Sequence, residues 1–481
     1  MSWPTPMDAH LGAGQAVSAT LSPLLPAEPA WWDAAGPLVL LALIAAWLVW
    51  LTRRLGRHLD VATSRIGGVT AGRIVGVAVG VHVAVALAVG TVITADAELL
   101  AYAAPDAIGY QRTVDGLIAA PLDGPDPPRW ADRGVYLYLA AFVQAVFGGR
   151  GLAIVVVNAA LLGTSLLLLV DITRQLAGSR TAAVAAVLLA ALPAIYLWAA
   201  TPLREALVLC LTVWCVQSGV RAVAVSEDDA GEGRAGGLPW LLAAAVPLVL
   251  MNWTREAQVP ALAAVVVVAG LLQFEVRSAM SRWLARRWVL VAGSATLAAA
   301  VLALGPRLTR LAWRVSDRAA HHSTELTEEA TTRVAMFSHS RFLEPVELLV
   351  ELPAGVIRFL FAPMPWQQPD GPVLLWLDAA VWVAVAVPVV AGLWLAVRAR
   401  RRAALVPLAA ALVTAAIGAV TLGNYGIISR IRLHSWVLLV PFAAWALSAA
   451  VGRISVRRGT DSGERTGSAV SPRARPRARG R

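Results

Sequence analysis

The chain contains no lysine; all 41 of its basic residues are arginine. It has only two cysteines, Cys210 and Cys215, both inside one apolar run. That excludes a disulfide framework, and their spacing matches no metal pattern. Charged residues make up just 15% of the chain, too few for a soluble domain rich in hydrophobic residues. There is no Walker motif, no dinucleotide fingerprint and no Ser-His-Asp signature. Residues 1–33 are Pro-rich and acidic. They lack the positive start and early apolar stretch of a cleavable signal peptide.

What fills the space is apolar. Of 481 residues, 58% are hydrophobic, and the mean hydropathy is +0.66. Repeated long apolar runs indicate an all-α, polytopic transmembrane helical bundle. Runs long enough to cross lipid fall near 34–52, 73–94, 151–170, 181–199, 203–220, 238–254, 257–274, 288–305, 373–397, 403–422 and 435–451, which makes about eleven spans. The net charge of +11 reads as the arginine surplus of cytoplasmic loops rather than a nucleic-acid surface.

Arg53, Arg54, Arg57, Arg65 and Arg73 lie between the first two spans and set that loop inside. The N-terminal tail, 1–33, is then outside. Later inside loops are also basic: Arg174 and Arg180; Arg221 and Arg234; Arg277, Arg282, Arg286 and Arg287; Arg398, Arg400, Arg401 and Arg402. The bundle covers 34–452. The Arg-, Ser- and Pro-rich tail, 453–481, lands inside and is expected to be disordered and drawn to anionic lipid.

Segment 134–148 is apolar, but counting it as a span would invert every later basic loop. It is therefore expected as a helix on the outer surface, with Tyr136, Tyr138 and Phe142 at the interface. Segment 346–362, broken by Pro353, is expected to be a surface or re-entrant helix. Two long outer loops result, about 95–150 and about 306–372.

Four constellations of ionisable residues fall on that outer side. The first is Pro105-Asp106-Ala107-Ile108-Gly109-Tyr110, a helix start with Asp106 as its expected cap. A carboxylate just above the bilayer suits a general base; a helix cap among solvated loop acids explains the same residues. The second and third are Arg204-Glu205-Ala206 and Arg255-Glu256-Ala257, both expected at outer helix starts. Glutamate there suits the positive helix end and arginine suits phosphate; snorkelling, self-neutralised pairs are the plainer reading. The fourth is Arg430-Ile431-Arg432-Leu433-His434, after Gly423-Asn424-Tyr425-Gly426. Two outer arginines run against the positive-inside bias and call for partners, either a phosphate or loop acids. In the second long loop, His321, His322, Glu325, Glu328, Glu329 and His339 follow no zinc spacing.

These features together resemble the GT-C superfamily of integral-membrane glycosyltransferases, nearest the protein O-mannosyltransferase and aminoarabinose-transferase branch. Residues 73–260 carry most of the resemblance: a span, an outer loop with Asp106-x-x-x-Tyr110, the surface helix ending in Phe147-Gly148, and Arg204-Glu205 after a span ending in Leu192-Pro193. Pro363-Met364-Pro365-Trp366 and Arg430-x-Arg432 resemble stretches of bacterial membrane proteins of surface-polysaccharide synthesis.

The resemblance implies a polyprenyl-phosphate-linked sugar as donor, a glycan, lipid or protein acceptor, and a bacterial plasma membrane. Asp106 would be catalytic, and Tyr110, Arg204, Glu205, Arg255, Glu256, Arg430 and Arg432 would bind substrate. Many members carry a second acid beside the catalytic one, whereas Ala107 stands here. That leaves divalent-metal dependence open, with Asp96, Glu98 or Asp115 as other bases. The rival readings are a polysaccharide polymerase or ligase, a flippase or transporter, and a scaffold without catalysis.

Overall fold

The computed structural model describes residues 32–59, 65–66, 69–96, 99, 105–119, 134–228, 237–277, 345–362, 373–421 and 425–466. Apart from a two-residue antiparallel ladder, Arg65–Ile66 with Val69–Thr70, these residues form a helical bundle. In chain order the helices are α1 (Trp32–Leu59), α2 (Ala71–Ala95), α3 (Pro105–Ala119), α4 (Gly134–Phe147), α5 (Arg150–Ala177), α6 (Ser179–Ala190) and α7 (Pro193–Ala200). There follow α8 (Glu205–Asp228), α9 (Leu238–Thr254), α10 (Val259–Arg277), α11 (Pro345–Phe361), α12 (Val373–Arg398), α13 (Leu405–Thr421) and α14 (Tyr425–Thr466).

Among the described residues, seven helices are long and apolar enough to cross a bilayer: α1, α2, α5, α8, α12, α13 with its preceding turn, and α14. Helices α4, α6, α9 and α10 are apolar but shorter. The expected span at 288–305 lies outside the described residues, as do the His321–His339 stretch and Pro363–Trp366. The expected span 181–199 is two helices, α6 and α7. Leu192 between them is extended (φ −88°, ψ 107°) because the residue before a proline is driven out of the helical region.

Side-chain bonds fix how the helices run. The Asn158 amide, near the start of α5, donates to the carbonyls of Thr201 (2.8 Å) and Leu203 (3.1 Å), just before α8. Asp171, near the end of α5, accepts from Gln217 and Arg221 late in α8. Helices α5 and α8 are therefore parallel, and α6 and α7 return between them. The end of α9 meets the start of α8 through Arg204 and Thr254. Its beginning meets the end of α8, where Arg221 stacks over Trp240 at 4.5 Å. The starts of α12 and α14 meet through Asp378 and Arg432.

The bundle thus has two polar ends. One gathers Asp106, Glu205, Arg255 and Arg430. The other gathers Asp171, Arg174, Gln175, Gln217 and Arg221. Glu205 and Arg221 lie sixteen positions apart on α8, roughly 24 Å at 1.5 Å per residue. At the second end the Asp171 carboxylate is buried and fully used. Oδ1 accepts from Arg174, and Oδ2 accepts from Gln175, Gln217 and Arg221 at 2.7–3.0 Å. Burial of a charge is tolerated when donors surround it in this way.

Helix α4 buries Tyr136, Leu137, Ala140, Val143 and Gln144 and exposes Tyr138 and Phe142. It packs on α1, α3, α5 and α9 at the Glu205 end. Helix α11 continues through Pro353 and seats Phe359 over Gly418 of α13, where the ring fills the place of a side chain. Gly392 lets α12 approach the backbone of α14 at Phe442 in the same way. Such close approaches are how membrane helices gain packing where lipid offers no hydrophobic drive. Helix α14 runs on through residues 453–466, which were expected as disordered tail. Extending an anchored helix is far easier than nucleating one.

Candidate functional site

Four sequence-distant segments bring their charges together. Helix α3 opens with Pro105, whose fixed φ suits the first helical position. Asp106 therefore lies within the first turn rather than before it as a cap. The helix end still favours its negative charge. Glu205 is the first residue of α8, again at a positive helix end. Asn158 pins the turn Thr201–Arg204 that aims it. Arg255 follows the last residue of α9, and Arg430 sits near the start of α14.

Glu205 is the hub, with a side chain 5% exposed. Its Oε1 lies 3.5 Å from the Arg255 guanidinium and 3.6 Å from that of Arg430. Those distances are charge pairing rather than short hydrogen bonds. Among the described residues, its Oε2 meets no hydrogen-bond donor. Arg430 also donates through Nη1 and Nη2 to Asp106 Oδ2 at 3.1 and 3.2 Å. The chain of charges therefore alternates: Asp106, Arg430, Glu205, Arg255. Burial pulls Arg255 down to about 10 despite Glu205 beside it, so it remains a cation at neutral pH.

Arg204 lies beside this chain and works on the scaffold. Its Nη1 donates to the carbonyl of Thr254 at 2.9 Å, serving one of the acceptors a helix leaves open at its end. That bond ties the start of α8 to the turn carrying Arg255. Counting Arg204, the cluster holds three guanidiniums against two carboxylates, a surplus of one positive charge.

Tyr110 is buried one turn along α3 from Asp106 and packs on Tyr136 of α4, ring centroids 5.8 Å apart. These rings line a small cleft with Ala107, Ala140, Ile154 and Pro202. Gln111 and Gln144 close one side through reciprocal amide bonds of 3.0 Å.

Of the residues singled out from sequence, Asp106, Tyr110, Arg204, Glu205, Arg255 and Arg430 converge. Arg432 does not. It is 1% exposed and bonds Asp378 of α12 and the carbonyl of Ala362 after α11. Next to it, the Trp436 indole donates to the carbonyl of Leu360 and stacks on Trp382. Arg432 instead fastens α11 and α12 to α14. The side chain of Glu256 lies outside the described residues. Asp115, further along α3, instead accepts from Gln111, and Asp96 accepts from the backbone N–H of Leu99.

His434 was missed as a site residue. It is buried one turn after Arg430 and borders Glu205, Arg255 and Arg430. Its signal was present in the spacing Arg430-x-x-x-His434, which puts both residues on one face once the stretch is helical. Among the described residues, no three His, Cys, Asp or Glu side chains gather in a metal-binding group.

No family model, curated protein sequence or solved structure matches the chain.

Proposed function

We propose that the protein is a membrane glycosyltransferase of GT-C type, moving a sugar from a polyprenyl phosphate to a cell-envelope acceptor at the outer face of a bacterial plasma membrane. The observation that supports this reading is the meeting of Asp106, Glu205, Arg255 and Arg430 at one end of an apolar bundle. Ionisable residues at membrane depth are rarely kept without a function. Arginines held by a buried glutamate are pre-aimed, so they stabilise developing phosphate charge without reorganising.

In the proposed reaction an acceptor hydroxyl attacks the anomeric carbon of the donor. Its proton passes to Asp106 as the new carbon–oxygen bond forms. The bond from that carbon to the phosphate oxygen breaks, and its electron pair stays on the lipid phosphate. Arg255 and Arg430 stabilise the charge left there. Orientation follows the arginine pattern: Arg174, Arg180, Arg221 and Arg398–Arg402 belong to the end away from Glu205, which suits the cytoplasm.

One rival has an observation in its favour. Arg430 already holds Asp106, so a polymerase or ligase that needs only the arginines fits the same cluster. The deciding experiment uses the protein in lipid nanodiscs with a panel of polyprenyl-phosphate sugars, following release of polyprenyl phosphate. Acceptor-dependent release that is lost in Asp106→Asn and Arg430→Gln supports the transferase. Unchanged release in Asp106→Asn removes the base and favours the rival. No release with any donor sinks the reading.

A further inference from the structure

We infer that Asp106 is a built-in stand-in for the substrate phosphate: it occupies Arg430 in the resting protein and leaves when a phosphate anion arrives. This rests on the functional reading above and adds an order of events to it.

Four observations carry the inference. The first is position. The Asp106 side chain is 42% exposed, whereas those of Arg430, Arg255 and Glu205 are 12%, 13% and 5% exposed. The carboxylate is the outermost member of the charge chain, so an anion from outside reaches Arg430 at the place Asp106 holds. The second is geometry. Arg430 Nη1 and Nη2 donate to the same Asp106 oxygen, Oδ2, at 3.1 and 3.2 Å. A fork meeting two oxygens is the stronger arrangement, and a phosphate can supply it.

The third is the setting of that bond. It is partly exposed, and pairs of that kind hold weakly. The other ion pair of Arg430, with buried Glu205 at 3.6 Å, stays in place when Asp106 leaves. The fourth is charge. With Asp106 in place the cluster carries one surplus positive charge. With Asp106 swung away it carries two, enough for the single charge of the donor's phosphodiester and for the second charge that develops on the lipid phosphate as the sugar leaves. Glu205 keeps the arginines aimed throughout, through its Oε1 beside Arg255 and Arg430.

The exchange has a mechanistic result. A resting Asp106 is engaged with Arg430, and phosphate binding frees Oδ2 to accept the acceptor proton. Donor binding then precedes activation of the acceptor, which keeps water from being activated in an empty site.

The test compares wild type, Asp106→Asn and Asp106→Ala in nanodiscs by direct binding of a polyprenyl monophosphate, with inorganic phosphate as a second probe. Removing the internal competitor is expected to tighten phosphate binding about fivefold in both variants, the value of one weak exposed pair. Arg430→Gln is expected to abolish binding. Tightening for the lipid probe alone assigns the site to a lipid phosphate, and tightening for both probes assigns it to the phosphate group itself; either supports the exchange. If wild type binds and both Asp106 variants bind equally or more weakly, the stand-in role is wrong while the functional reading survives. If wild type binds neither probe, the functional reading falls with it. Thermal unfolding of each variant checks that the bundle is intact.

Discussion

Arg430 and Arg432, two positions apart on α14, serve opposite sides of the helix. Arg430 reaches Asp106 and Glu205, while Arg432 reaches Asp378 and the end of α11. Two residues along a helix turn through about 200°, so one short motif supplies both a member of the charge cluster and a structural fastening.

That division of labour has a stability signature. Arg432→Ala leaves Asp378 without its partner and the Ala362 carbonyl without a donor. It should destabilise the protein by about 3–5 kcal/mol, as breaking buried pairs does. The double variant Arg432→Met/Asp378→Leu should lose clearly less than the two single losses added together. Thermal unfolding in detergent measures both. Equal melting of Arg432→Ala and wild type would remove the fastening role.

At the other end, Asp171 is the acceptor for four side chains. Asp171→Ala strands buried donors from α5 and α8 and should cost about 3–5 kcal/mol. Arg174→Ala removes only one partly exposed partner and should cost about 1 kcal/mol or less. A comparable loss in the two variants would show that the carboxylate is not the hub.

The two glycine contacts should respond differently to repair. Gly418→Ala pushes against the Phe359 ring and Gly392→Ala against the Phe442 backbone. Each should cost roughly 1–3 kcal/mol by overpacking. Adding Phe359→Leu should restore much of the first loss, because a side chain can be trimmed. No side-chain change at Phe442 should restore the second. Rescue of Gly392→Ala by trimming Phe442 would contradict the backbone contact.

Orientation is open to labelling, because Cys210 and Cys215 are both buried and should stay silent. A cysteine at exposed Tyr138 should react with a membrane-impermeant maleimide on intact cells. One at exposed Arg401 should react only after permeabilisation. The reverse pattern would invert the topology. Labelling of both from one side would break the two-ended arrangement.

The helical class was legible because apolar runs long enough to cross lipid have few other solutions. Helix α4 was legible as an apolar helix, and it is shorter than the seven long enough to cross lipid; its expected place on the outer surface came only from the basic loops. The convergence of Asp106, Glu205, Arg255 and Arg430 was readable as shared depth but not as contact, since nothing local to 106 records the position of 430. The break at Pro193 was readable, but the separate helix α7 that it starts was not, because residues 194–200 stay apolar. The opposed faces of Arg430 and Arg432 were hidden because Gly423-Asn424-Tyr425-Gly426 reads as a loop, while the helix already begins at Tyr425. The Asp171 hub was invisible for the same reason as the site: its partners at 217 and 221 come from another helix.

Helix α14 is one continuous rod of 42 residues, roughly 63 Å at 1.5 Å per residue, about twice the thickness of a bilayer's hydrocarbon core. Near its start it is keyed against rotation by two arginines gripping opposite walls. Its far portion, residues 453–466, lies beyond the apolar stretch. Pro441 removes one backbone hydrogen bond inside that rod, so the helix has one weak point between its keyed start and its far portion, and any bend between the two ends falls there.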